Sequence, residues 1–202
     1  MTSAQLFPVL KRVPDADRQV GKRTPAQTQS LLARAALKES LQLTGLELSD
    51  ELAFDKLGAP VPQNGVLWSL THKPEWVGAV CSPQSLSDLG IGIDIEKIIE
   101  RKNSRTFDYV ADDAEWILAG ERTLENFFRL WTAKEAVLKA LGTGLRELQD
   151  CRLVDFKPRK GDQSHLTLYA RQRNWEVLQY YFEGHLVSLT PLGANVDFIF
   201  SK

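Results

Sequence analysis

Cysteine is scarce in this sequence, and the two that occur, Cys81 and Cys151, lie far apart without Cys-x-x-Cys or Cys/His spacing. That excludes a zinc ribbon or a disulfide-stapled scaffold and predicts free thiols in a reducing cytoplasm. No apolar run approaches a membrane span. The amino-terminal stretch lacks the basic start and long apolar core of a secretion signal, so none is expected. An excess of one charge sign is missing too: 25 Lys and Arg against 26 Asp and Glu leave a formal net charge of −1. No global positive field is available to recruit nucleic acid or an anionic membrane. Low-complexity tracts and linkers are also missing. What remains is an ordinary soluble composition, 43% hydrophobic and 25% charged over 202 residues, enough for one large domain or two small ones.

The order of local patterns points to α+β. "TPAQTQSLLARAALKESLQLTG" opens at a capping Thr24, has Pro25 in its first turn and ends at Gly45. These signals predict a long helix with Leu31, Leu32, Ala35, Ala36, Leu41 and Leu43 on its apolar face. After the turn-rich "DKLGAPVPQNG", the segments "VLWSLTH" and "WVGAVCS" read as two strands around "KPE". Helical periodicity returns over 106–119 and 124–142. The rest is strand-like: "CRLVDFK", "HLTLYAR", "WEVLQYYFEGHLVSLT" with a turn at Glu183-Gly184, and "NVDFIF". The expected fold is α+β, with two similar halves, 1–88 and 89–202, each a long helix packed on a mainly antiparallel sheet.

Two stretches carry chemistry. In "LGIGIDIEKI", residues 89–98, Asp94 and Glu96 are two apart in an apolar strand and so share one face. Either that face lies in water at a sheet edge, or a divalent cation neutralises the pair, since crowded like charges raise each other's pKa and hard cations prefer carboxylate oxygens. Gly90 and Gly92 just upstream allow another backbone or a ligand to come close. The second stretch, "FFRLWTAKEAVLKALGTGL" at 127–145, puts Glu135 and Lys139 four apart on a helix. That spacing alone suits a solvated ion pair. Glu135 also borders the apolar stripe of Trp131 and Leu138, which favours a half-buried carboxylate. Asp94, Glu96 and Glu135 would then form a Mg²⁺ set of the kind completed by phosphates and waters, with Lys134 and Lys139 ready to meet phosphate charge.

The pair "GIGIDIEKI" and "WTAKEAVLK", in that order and about forty residues apart, resembles the signature of the 4′-phosphopantetheinyl transferases. It is more similar to their larger, pseudo-dimeric type than to the small trimeric holo-acyl-carrier-protein synthases. "GAPVP", "WSLTHKPEWVGAV" and "GTGL" extend the resemblance over roughly residues 20–145. The resemblance implies a pseudo-twofold fold and transfer of the 4′-phosphopantetheine arm of coenzyme A to a serine of a carrier protein, releasing adenosine 3′,5′-bisphosphate. It also implies Asp94, Glu96 and Glu135 as Mg²⁺ ligands, Glu135 as base for the serine, and Lys139 as support for the pyrophosphate and leaving group. Lys134 is then a second phosphate candidate, and His72 matches the histidine near the coenzyme A 3′-phosphate. The family's Ser-His-Ser is Thr71, His72 and Lys73 here, and Gln29 stands where many relatives have an arginine. Lys22, Arg23 or Lys73 could substitute for that arginine. A non-catalytic relative that binds coenzyme A or a carrier is the alternative, and Gln29 is the feature that favours it. A monomer is expected, because one chain supplies both halves.

Overall fold

Two sheets, each with one long helix on it, organise the computed structural model, which describes residues 4–14, 24–100, 105–158 and 161–201. In chain order the elements are β1 (Gln5–Leu6), β2 (Val9–Arg12), α1 (Pro25–Thr44), β3 (Val66–His72), β4 (Trp76–Pro83) and β5 (Ile93–Lys97). Three helices follow, α2 (Arg105–Val110), α3 (Asp113–Ala119) and α4 (Leu124–Leu141). Then come β6 (Arg152–Pro158), β7 (Gln163–Ala170), β8 (Arg173–Phe182), β9 (His185–Leu189), β10 (Asn195–Val196) and β11 (Ile199–Ser201). The strands form a four-stranded sheet in the order β11-β2-β4-β3, a five-stranded sheet β5-β9-β8-β7-β6, and the pair β1-β10. This is the α+β architecture expected, antiparallel except where β10 and β11 join β1 and β2 in parallel. Among the described residues no helix is long and apolar enough to cross a membrane.

Those last strands cross the expected boundary. Residues 199–201 complete the sheet built by β2, β3 and β4, so a cut between 88 and 89 does not separate two self-contained halves. The helix ends follow the sequence signals closely. Thr24 Oγ1 accepts from Gln27 N while Gln27 Oε1 accepts from Thr24 N, a reciprocal cap, and Gly45 closes α1 in the left-handed region at φ 67°. The expected apolar face of α1 needs revision, however. Ala33, Ala36, Leu37 and Ser40 are buried, whereas Leu31 and Leu43 are exposed, because the sheet meets the 33/36/37/40 stripe. The single helix expected over 106–119 is two helices. Asp112 breaks it by capping α3, accepting from Glu115 N at 3.0 Å.

Apolar clusters hold these layers. Ala36 and Leu37 of α1 pack on Val9, Val66, Trp68 and Ala79. Phe127, Phe128, Leu130 and Val137 of α4 pack on Leu168 and Val177. Between the sheets lie Leu10, Leu67 and Val80 from one side, and Ile93, Ile95 and Val187 from the other. Hydroxyls reinforce that junction: Ile93 N and Ile95 N donate to Ser69 Oγ and Thr71 Oγ1 of β3. Seen from β5, Ile93 and Ile95 point into the inter-sheet core, and Asp94 and Glu96 take the opposite face.

Candidate active site

That acidic face meets α4 because two glycines let it. A Cβ on Gly92 would lie 1.8 Å from Ala136 O, and one on Gly90 would lie 2.3 Å from Ala140 O. The helix backbone therefore rests directly on the chain entering β5, and residues one turn apart on α4, Glu135 and Lys139, reach the acids. A buried polar network fixes the register. Gln179 Nε2 on β8 donates to Arg129 O, Thr132 Oγ1 and Ser188 Oγ, and Ser188 Oγ donates to Thr132 Oγ1 at 2.7 Å. Lys139 occupies the last turn of α4, where the helix dipole favours a cation.

At the centre is Asp94, 3% exposed. Its Oδ1 accepts from Lys139 Nζ at 2.8 Å and from Thr71 Oγ1 at 3.1 Å. Its Oδ2 is buried and has no hydrogen-bond partner. Lys139 Nζ also donates to Ile93 O at 3.0 Å and Leu70 O at 3.4 Å, so its ammonium ties both sheets to the acid. Glu96 Oε1 pairs with Lys73 Nζ at 2.7 Å and accepts from the Trp131 indole at 3.0 Å. Burial and then the Asp94 carboxylate push the Glu135 pKa up, with Lys139 and Lys73 opposing. Burial works against the charge of Lys73, but Asp94, Glu96 and Glu135 together outweigh it and raise its pKa. The His72 pKa is lowered, by burial first and then by Lys139 and Lys73.

Beside this cluster runs a cleft of about 420 Å³ lined by Arg34, Leu57, Pro60, His72, Glu135 and Lys139. The "GAPVP" connector and the "GTGL" turn both contribute walls. Six expected residues are thus gathered: His72, Lys73, Asp94, Glu96, Glu135 and Lys139. Two are not. Thr71 is buried behind Asp94 and orients it, so it is unavailable to a phosphate. Lys134 is fully buried and points away from the cleft, pairing with Glu115 Oε1 and donating to Val110 O, both at 2.7 Å. Its long stem spans from α4 to α3 and leaves no ammonium for phosphate. Lys22 and Arg23 lie outside the described residues. Lys73 faces Glu96 rather than the cleft.

Arg34 is the residue that sequence reasoning missed. The signal was available: with Ser30, Ala33 and Leu37 it forms one stripe of α1, and Ser30, Ala33 and Arg34 line the cleft. A wrong apolar face for α1 hid it. The acids supply oxygen donors of the kind a divalent cation prefers. Among the described residues no group of three or more His, Cys, Asp or Glu stands at ligand distances, and Lys139 and Lys73 pair with Asp94 and Glu96. Yet Asp94 Oδ2 is an orphaned buried carboxylate oxygen, and Glu135 is held above its ordinary range by burial and Asp94. An all-oxygen donor set of this kind suits Mg²⁺.

Comparison with known proteins adds to this geometry. The description "4′-phosphopantetheinyl transferase superfamily" belongs to the family whose profile matches residues 90–190. A 4′-phosphopantetheinyl transferase of Aneurinibacillus migulanus is 28% identical over 149 residues, 70% of this chain and 58% of the relative. The L-aminoadipate-semialdehyde dehydrogenase-phosphopantetheinyl transferase of Schizosaccharomyces pombe is 29% identical over 161 residues, covering 69% and 62%. A holo-acyl-carrier-protein synthase of Streptococcus sanguinis is 41% identical over 81 residues, covering 36% and 68%. The chain therefore spans about three fifths of the first two relatives' length.

Proposed function

Because the chain belongs to the 4′-phosphopantetheinyl transferase superfamily, we propose that it moves the 4′-phosphopantetheine arm of coenzyme A onto a serine hydroxyl of an acyl or peptidyl carrier protein. The observation that carries this reading is the meeting of Asp94 and Glu96 on β5 with Lys139 and Glu135 on α4, beside one cleft. Coenzyme A lies in the cleft, its 3′-phosphate near His72 and Arg34. Mg²⁺, held by Asp94, Glu96 and Glu135, would neutralise and polarise the pyrophosphate.

The remaining chemistry falls to side chains. Glu135 takes the proton of the serine hydroxyl as the serine oxygen bonds to phosphorus. The phosphorus–oxygen bond to the leaving group breaks, and adenosine 3′,5′-bisphosphate departs with that electron pair. Lys139, already fixed by two carbonyls and Asp94, offers a preorganised positive charge where negative charge develops. Thr71 keeps Asp94 in place. We assign a structural role to Lys134.

We further propose a cytoplasmic monomer, since both cysteines are free and buried and both helix-on-sheet units belong to one chain. The test is incubation with apo-carrier protein, coenzyme A and Mg²⁺, read by mass spectrometry as a gain of one phosphopantetheine on the carrier. A carrier of unchanged mass, in a preparation that binds coenzyme A by calorimetry, would make the protein a binding relative instead.

A further inference from the structure

Lys73 stands in the turn between β3 and β4, and its ammonium is committed to the acid cluster. Its Nζ lies 2.7 Å from Glu96 Oε1, the oxygen that also accepts from the Trp131 indole. The Glu96 side chain is 12% exposed and that of Lys73 is 33% exposed. The acid is thus largely withdrawn from water, so the pair is more than a screened surface contact, while the lysine keeps a path to solvent. Lys139 differs: its ammonium is divided among Leu70 O, Ile93 O and Asp94 and is built into the junction of the sheets. Among the described residues the one ion pair of Lys73 is with Glu96.

The charges argue for movement. With the acids ionised, Asp94, Glu96 and Glu135 against Lys73 and Lys139 leave one negative charge. A divalent ion entering with both lysines in place would overshoot to one positive charge. With Lys73 withdrawn, three carboxylates, Lys139 and the ion sum to zero. A compact ammonium on a flexible four-carbon stem is suited to such a withdrawal. We infer that Lys73 is an exchangeable internal cation, which holds Glu96 while no divalent ion is present, releases it when the ion binds, and passes to the phosphate charge of coenzyme A. This rests on the transferase reading. It makes the ion and coenzyme A bind cooperatively through one side chain.

Calorimetric titration of Mg²⁺ into metal-free protein and into K73M, each with and without coenzyme A, tests the exchange. The competent state no longer has to be freed of its own lysine, so K73M alone should bind Mg²⁺ about fivefold more tightly, the worth of one partly buried ion pair. Coenzyme A should tighten Mg²⁺ binding more in the wild type than in K73M, because only the wild type gains the released ammonium. K73R, whose planar fork grips Glu96, should weaken Mg²⁺ binding. Trp131 emission, isolated by subtracting the W131F titration, should respond to Mg²⁺ as Glu96 changes partner. Circular dichroism and melting checks that each variant folds, with K73Q replacing K73M if it does not.

Equal Mg²⁺ affinity in K73M and wild type, or no Mg²⁺ binding by either, overturns the inference. So does equal coupling to coenzyme A. Carrier-mass assays separate it from the reading beneath it. Exchange without mass gain refutes the transferase reading alone, whereas mass gain with an unmoved Mg²⁺ affinity refutes the exchange alone.

Discussion

Substituting Gly92 by alanine tests whether backbone contact is what brings the two catalytic elements together. The added Cβ would lie 1.8 Å from Ala136 O, 2.8 Å from Ala136 C and 3.0 Å from Ala140 N, whereas ordinary contact begins at 3.4 Å. Helix α4 would have to withdraw by about 1.6 Å, and no flexible side chain is available to give way. Overpacking of this kind costs about 1–3 kcal/mol. The same withdrawal pulls Lys139 Nζ off Asp94 Oδ1, now 2.8 Å away, and carries Glu135 with it. A displacement near 1 Å at a reacting centre costs about 10²-fold in rate, so turnover should suffer more than stability. Urea unfolding supplies the first quantity and carrier mass gain under saturating coenzyme A the second. Gly184→Ala is the control: it lies in open space at φ 72°, so it should lose about 1–2 kcal/mol through backbone strain alone and keep its turnover per folded molecule. Wild-type stability and turnover in Gly92→Ala would refute the close-approach argument.

Three further outcomes are expected. Glu135→Gln keeps shape but removes charge and basicity, so kcat should collapse, while coenzyme A binding followed by calorimetry should weaken with Mg²⁺ present and change little without it. Lys134→Met strands Glu115, only 4% exposed, and should lose about 3–5 kcal/mol in urea unfolding; adding Glu115→Gln should recover part, with turnover per folded molecule retained in both. His185 is buried, and its pKa lies below the ordinary 6.5, chiefly through burial. The unfolded chain therefore binds the proton first, and stability should fall as pH drops below 6.5 towards the lower folded value. His185→Gln should flatten that loss when unfolding is compared at neutral and mildly acidic pH.

Legibility tracked how local each determinant is. Helix α1 announced both ends through Thr24, Pro25 and Gly45, and the Glu183-Gly184 turn announced a hairpin, because caps and turns are written within a few residues. The two acids on β5 and the Glu135/Lys139 pair on α4 were readable from periods of two and four. What the sequence did not disclose depends on partners far along the chain. Lys134 looked like a neighbour of Glu135 in the site, but its own direction on the helix sends it to Glu115. Thr71 stands at the first position of the family's Ser-His-Ser and is a buried brace for Asp94. The strands β1 and β2 are too short to carry a period, and only their pairing defines them, whereas the strand expected over "NVDFIF" divides into β10 and β11, which join different sheets.

That pairing has a kinetic consequence. Lys11 Nζ donates to Ser201 Oγ across 190 residues at 2.7 Å, where β11 covers β2. At translation rates of roughly 5–20 residues per second, β2 would wait on the order of ten to forty seconds for its outer neighbour. During that interval β2 is an open edge with Val9 and Leu10 in it, the kind of template on which nascent chains pair with one another. Lys11 in the same strand is the residue type that discourages such pairing. Its charge, matched in the finished protein by Glu39 at 2.7 Å, would guard the edge until the distant strand arrives. Slow, non-local closure of this sheet rather than formation of either helix would then set the folding time of the whole molecule.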